Sequence, residues 1–153
     1  MADRVSLVPA RHAHIGAIAR RMRAMDAMEC RAFGRDPKTA LRVGLANSAQ
    51  AWTALVDGRP EAMFGVVVNS VLTGDAVPWF LGTDEVYRHG RELLAWGPGM
   101  VERLHDSSLT LRNLVSVHNS NAIRLLERWG FTVRKEVIVS GGVAFYPFEK
   151  VPG

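Results

Sequence analysis

The chain of 153 residues has one cysteine and two tyrosines, and no run of like charges exceeds two residues. Each scarcity excludes something. Cys30 is alone, so no intrachain disulfide can form, and near the end of an amphipathic stretch it reads as a small buried apolar residue rather than a nucleophile, which would need an electropositive, accessible setting. Nothing approaches the roughly 18 consecutive apolar residues of a membrane span, and Met1-Ala2-Asp3-Arg4 opens no signal-peptide pattern; a cytoplasmic location with no membrane partner is expected. His12 and His14 have no Cys or carboxylate cluster beside them, so no metal site is expected. The charge of +4 is mild and the arginines of the first third are scattered, which reads as solvated helix faces more readily than as a nucleic-acid surface.

What is present fits one globular domain: 48% hydrophobic and 22% charged residues, with no repeat and no linker. Val5-Ser6-Leu7-Val8-Pro9 reads as a first strand. From Arg11 the period turns helical, with Ile15, Ile18, Ala19, Met22, Met25 or Asp26, and Met28 or Glu29 on one stripe. Asp26 and Glu29 are surface neighbours at i, i+3; they either act on a substrate amine or are solvated. Asp36-Pro37 caps and starts a second helix to about Asn47. Residues 51–56 and 61–69 flank Asp57-Gly58, a hairpin signal, and the second arm is apolar on both faces, as a central strand should be.

The stretch Val77-Pro78-Trp79-Phe80-Leu81-Gly82-Thr83-Asp84 is a strand whose Pro78 removes one ladder donor, which suits an edge, a bulge or a splayed end. Thr83 or Asp84 then caps a helix that Gly97-Pro98-Gly99 either kinks or divides. Residues 109–117 alternate apolar side chains at period two. They lead into Asn119 to Gly130, where Ala122, Leu125, Leu126 and Trp129 make the apolar stripe of a short helix with an Asn start and a Gly stop. Strands over 132–139 and 143–149 close the chain around Ser140-Gly141-Gly142.

The run Asn119-x-x-Ala122-Ile123-x-Leu125-Leu126-Glu127-Arg128-Trp129-Gly130-Phe131 resembles the second acyl-CoA-side motif of the GNAT N-acetyltransferases, and the element order resembles that fold over nearly the whole chain. The resemblance implies an α+β, three-layer domain: a mainly antiparallel mixed sheet with a splayed parallel pair made by its fourth and fifth strands, and about four helices. It implies an acyl-CoA-dependent N-acyltransferase that takes acetyl-CoA as co-substrate and a small-molecule or protein amine as acceptor. By the same resemblance the main chain of Phe80, Leu81, Gly82 and Thr83 meets the pantetheine arm, Arg88, His89, Gly90 and Arg91 face the pyrophosphate, and Asn119 belongs to the second motif. Leu126 stands where the family's tyrosine acid usually lies, so catalysis would lean on the oxyanion amide alone or on another acid such as Tyr87 or His118. The family's Arg/Gln-x-x-Gly-x-Gly/Ala loop is reduced here to Glu85-Val86-Tyr87-Arg88-His89-Gly90-Arg91, with Asp84 and Glu85 placing like charge where a pyrophosphate would sit.

Three stretches, Met22-Arg23-x-x-Asp26-x-x-Glu29, residues 77–84 and Asn119 to Phe131, also resemble a GNAT-like family of tailed bacteriophages and prophages that includes an internal virion protein of short-tailed phages. That resemblance implies phage structural partners and a bacterial cytoplasm or a virion as location, and it carries an alternative: a non-catalytic assembly or host-interaction protein on the same fold. GNAT domains often pair through C-terminal strands, and Phe145, Tyr146 and Phe148 would suit a homodimer contact.

Overall fold

In a computed structural model that describes residues 5–70, 72–104 and 110–152, strands β1 (Val5–Pro9), β2 (Gln50–Val56), β3 (Arg59–Ser70) and β4 (Asp75–Gly82) form an antiparallel meander. Asp57 and Gly58 both take positive φ, the geometry a two-residue hairpin demands, and β3 is flanked on both sides as its two-faced apolar pattern requires. β4 then lies parallel to β5 (Thr110–Ser116), and β8 (Val143–Lys150) runs antiparallel to β5. Leu109, read as the first residue of that fifth strand, lies outside the described residues.

Helices cover both faces. α1 (His12–Arg20), α2 (Ala24–Ala32) and α3 (Pro37–Asn47) lie on one, where Ile15, Ile18 and Leu41 meet Met63 with Trp79 and Leu81 around them. α4 (Asp84–Arg88), α5 (Gly90–Leu104) and α6 (Ser120–Arg128) lie on the other, where Val101 and Ile123 join Val66, Leu111, Val115, Phe131 and Phe148. Alternation along β3 and β4 makes the division: Met63, Trp79 and Leu81 point one way, Phe64, Val66 and Phe80 the other. The helix caps follow the sequence at Asp36, whose carboxylate accepts from the Thr39 amide at 2.9 Å, and at Gly130, whose φ of 94° ends α6.

Four departures have local causes. The first helical stretch is two helices: at Arg21–Arg23 the chain leaves the helix so that Met22 bridges Thr83 and the Arg23 amide donates to the Gly82 carbonyl at 2.9 Å. The next divides at His89 and runs on through position 98, so the described residues hold six helices rather than about four. The strand expected over 132–139 is two short pieces, β6 (Thr132–Val133) and β7 (Ile138–Ser140), because Arg134 falls opposite Pro147, which accepts the Arg134 N–H but has none to return. Phe145 and Phe148 are buried, so they belong to the core and are not a contact face; Val137, Ile138 and Val139 are exposed on that edge instead.

Candidate functional site

Among the described residues the parallel strands β4 and β5 pair at two positions, Asp75 with Thr110 and Ala76 with Leu111, and then diverge. A proline begins the divergence. Alternation turns the N–H and C=O of even-numbered β4 residues toward β5, and at Pro78 the N–H is missing. The Asn113 side chain takes the place of the lost ladder: its amide nitrogen donates to the Pro78 carbonyl at 2.7 Å and its oxygen accepts the Leu114 N–H at 2.7 Å.

At the far end α2 closes the gap with two carboxylates. Asp26 accepts the Gly82 N–H at 3.0 Å, and Glu29 accepts the Ser116 N–H at 2.7 Å, one on each strand. Arg23 donates to Asp26 at 2.8 Å and to the Asn119 carbonyl oxygen at 3.3 Å, while the Asn119 amide nitrogen donates to Glu29 at 3.3 Å. Buried Asn119 therefore serves as a cross-link between helix α2 and the end of β5, and its side chain caps no helix amide. The Arg23 guanidinium lies 4.1 Å over the centre of the Tyr87 ring.

Burial sets the titration of this cluster. It lifts the Asp26 carboxyl to about 7 against the pull of Arg23, and it raises Glu29 against the Ser116 and Asn119 hydrogen bonds. It also pushes the Tyr87 hydroxyl upward, with Asp26 and Glu29 adding to the effect, so Tyr87 keeps its proton at neutral pH. Cys30 is buried and its thiol is pushed up to about 12, which leaves it a small core residue without a thiolate.

Between these ends lies a cavity of about 710 Å³ that crosses the sheet. On the α2–α3 side Asp26, Glu29, Phe33 and Arg35 line it; on the α6 side Tyr87, Leu125, Leu126 and Trp129 do; Pro78, Phe80 and Asn113 form its waist. Within β4, the Gly82 N–H and C=O are engaged by Asp26 and Arg23, the Pro78 C=O by Asn113, and Leu81 faces the β3 ladder. Phe80 is the residue whose N–H and C=O both face the gap and are engaged by none of these groups.

Of the residues singled out from sequence, the structure gathers Phe80, Leu81, Tyr87, Asn119, Asp26 and Glu29 around the cavity. Gly82 and Thr83 lie outside the cavity lining: Asp26 and Arg23 already engage the Gly82 main chain, and the Thr83 N–H and hydroxyl both go to Glu61, whose buried carboxylate is held by Arg21 and Arg59. His118 is exposed, its amide on the Ser116 hydroxyl, and lies outside the cavity lining. Arg88, His89, Gly90 and Arg91 form the α4–α5 junction, also outside the lining; Glu85 pairs with Arg88 at 2.8 Å and lies 3.6 Å from the His89 ring. Asn113 and Arg23 were missed as site residues, since one sits in a strand reading and the other among the arginines read as a solvated helix face. Pro78 was the available signal for the first, because a missing ladder donor calls for a side-chain substitute nearby.

No family model matches the chain, and no curated protein matches it in sequence. Solved structures do match in three dimensions. The chain superposes on the ribosomal-protein-S18-alanine N-acetyltransferase from Escherichia coli with a TM-score of 0.69 at 15% identity, over 98% of this chain and 95% of that one. An acetyltransferase of the GNAT family from Bacillus anthracis gives 0.69 at 12% identity over 99% and 97%, and spermidine N-acetyltransferase from Vibrio cholerae, solved with CoA and spermine, gives 0.63 at 13% over 97% and 95%. The fold is the GNAT acyltransferase fold, with its mixed sheet and parallel β4–β5 pair.

Proposed function

We propose that the protein is an acyl-CoA-dependent N-acyltransferase, and the observation that carries this is the cavity crossing the sheet between two parallel strands that diverge beyond Ala76 and Leu111. A slot open through the sheet lets two molecules approach from opposite faces and meet between strand ends, which is what transfer between two substrates requires. The acyl thioester supplies the activated acyl group. It enters from the α5–α6 face, along Leu125, Leu126 and Trp129, and the acceptor enters from the α2–α3 face past Glu29 and Arg35.

Each group in the gap then has a task. The Phe80 N–H faces the position where the thioester oxygen gathers charge, and a fixed main-chain donor there stabilises it. Glu29, raised by burial, takes the proton from the attacking amine as the C–N bond forms. The C–S bond breaks, and the protonated hydroxyl of Tyr87 supplies a proton to the departing thiolate. Arg23 and Asp26 hold Tyr87 and the β4 end in place. At the donor's anionic end Arg88 and Arg91, with the amides that open α5 at Gly90, offer positive charge once Glu85 releases Arg88, and the His89 ring lies beside them. Acetyl-CoA is the first donor to test, with a panel of small amines and peptide N-termini as acceptors. Thiol release that requires both substrates and is lost in Tyr87→Phe supports the assignment; no release with any pair, and no calorimetric binding of acetyl-CoA, contradicts it.

The α4 start favours a second reading. Asp84 and Glu85 occupy its first turn and Glu85 already neutralises Arg88, so the pyrophosphate end is weakly built. On that reading the fold serves a phage as a virion, assembly or host-directed binding protein without acyl transfer, and millimolar acetyl-CoA gives no heat.

A further inference from the structure

A second chamber adjoins the slot on the α5–α6 face. It measures about 90 Å³ and its walls are apolar: Ala54, Phe64, Trp96, Met100, Phe80 and Trp129. Phe80, Leu126 and Trp129 also line the slot, so the two spaces share a wall. Trp129 is fixed in place where the two spaces adjoin: its indole N–H donates to the Leu93 carbonyl at 3.2 Å, and a side chain at Gly97 would strike the indole, with an added Cβ 1.7 Å from Nε1. Phe64 and Phe80, 5.5 Å apart across β3 and β4, line the chamber in an aromatic row that Trp129 continues at 6.3 Å from Phe80 and that Trp52 extends beyond it, 6.1 Å from Phe64 on β2.

We propose that this chamber is an acyl pocket, so that the donor carries a straight apolar chain longer than acetyl, such as butyryl. This rests on the donor side of the slot as assigned above. Phe80 couples the two spaces: its main-chain N–H faces the gap where the thioester carbonyl reacts, and its ring walls the chamber where the rest of the acyl chain goes. The bonds exchanged are those already described, C–N formed and C–S broken, with the longer chain carried along unchanged. A chamber lined by aromatic and aliphatic groups stays dry and takes up an apolar ligand without leaving polar groups unpaired.

The test is the calorimetric affinity of acetyl-CoA, butyryl-CoA and hexanoyl-CoA. Burying a methylene strengthens binding roughly fourfold, so butyryl-CoA, with two more methylenes, should bind about fifteenfold more tightly than acetyl-CoA. Ala54→Leu, which fills the chamber from β2, should abolish that gain, and Met100→Ala, which enlarges it, should extend the gain to hexanoyl-CoA. The ratio of affinities within one variant is the readout, so a change in overall stability does not imitate the result. Equal affinity for acetyl-CoA and butyryl-CoA overturns the acyl pocket and leaves the acyltransferase reading intact; failure to bind any of the three at millimolar concentration overturns both.

Discussion

Asp26 and Glu29, three residues apart on one helix, close opposite sides of the same gap, Asp26 on the Gly82 amide of β4 and Glu29 on the Ser116 amide of β5. One helical turn thus spans the divergence of the two strands, and the strand ends are held apart by carboxylates that cost free energy to ionise where they lie.

That cost gives a pH dependence with a definite sign. The Asp26 carboxyl titrates near 7 in the fold against an ordinary value of 3.8, so the folded chain holds a proton that the unfolded chain has lost between those values. Stability therefore falls as pH rises from about 4 to about 7, by on the order of 3–4 kcal/mol from this group. Asp26→Asn should remove this component: urea midpoints measured across that range should fall with pH more steeply for the natural protein than for the variant. Parallel lines would show that Asp26 ionises normally.

Tyr87→Phe keeps the ring under Arg23 and removes the proton. If the hydroxyl protonates the departing thiolate, kcat should fall by about 10²-fold or more while the Kd for acetyl-CoA stays within about twofold. An equal loss in affinity would make Tyr87 a binding residue instead.

The main-chain donor in the gap can be deleted. Phe80 occupies a β4 position that gives no hydrogen bond to β3, in line with Pro78 two residues earlier, so proline is tolerated there by the ladder. Phe80→Pro and Phe80→Ala lose the same aromatic ring, and the N–H distinguishes them. Phe80→Pro should be slower than Phe80→Ala by about 10²-fold, the usual value of one oxyanion donor.

Gly97 is required by Trp129. Gly97→Ala drives a methyl into the indole and should cost about 2–3 kcal/mol, a fall in Tm of roughly 5–10 °C. Gly90→Ala on the same helix meets nothing within 4 Å and should leave Tm near its starting value. Equal shifts for the two would mean that helix α5 moves freely over α6.

The hairpin at Asp57-Gly58 and the stop at Gly130 were legible in sequence because each is a local demand of backbone conformation, whereas the sheet arrangement came only from the family resemblance. Pro78 was legible for the same reason, as the mark of an edge, a bulge or a splayed end, and the structure shows the last. The gap's own chemistry was not. Asn119 reads as a cap from its neighbours in sequence, yet its partners Arg23 and Glu29 lie about ninety residues away. Asn113 is invisible to periodicity, since a polar residue in a strand reads as solvent-facing until the missing Pro78 N–H is set beside it. The breaks at Arg21–Arg23 and at His89 were missed for a related cause: the first is dictated by contacts with β4, and local pattern favoured Pro98 for the second.

The most direct test follows the Phe80 amide by ¹H–¹⁵N correlation as acetyl-CoA is added. A saturable shift of that resonance, with shifts at Leu125 and Leu126 on the facing helix, is the result predicted for a thioester seated between the diverging strands. No movement at Phe80 with acetyl-CoA at millimolar concentration, on a chain whose other resonances are well dispersed, would contradict the account.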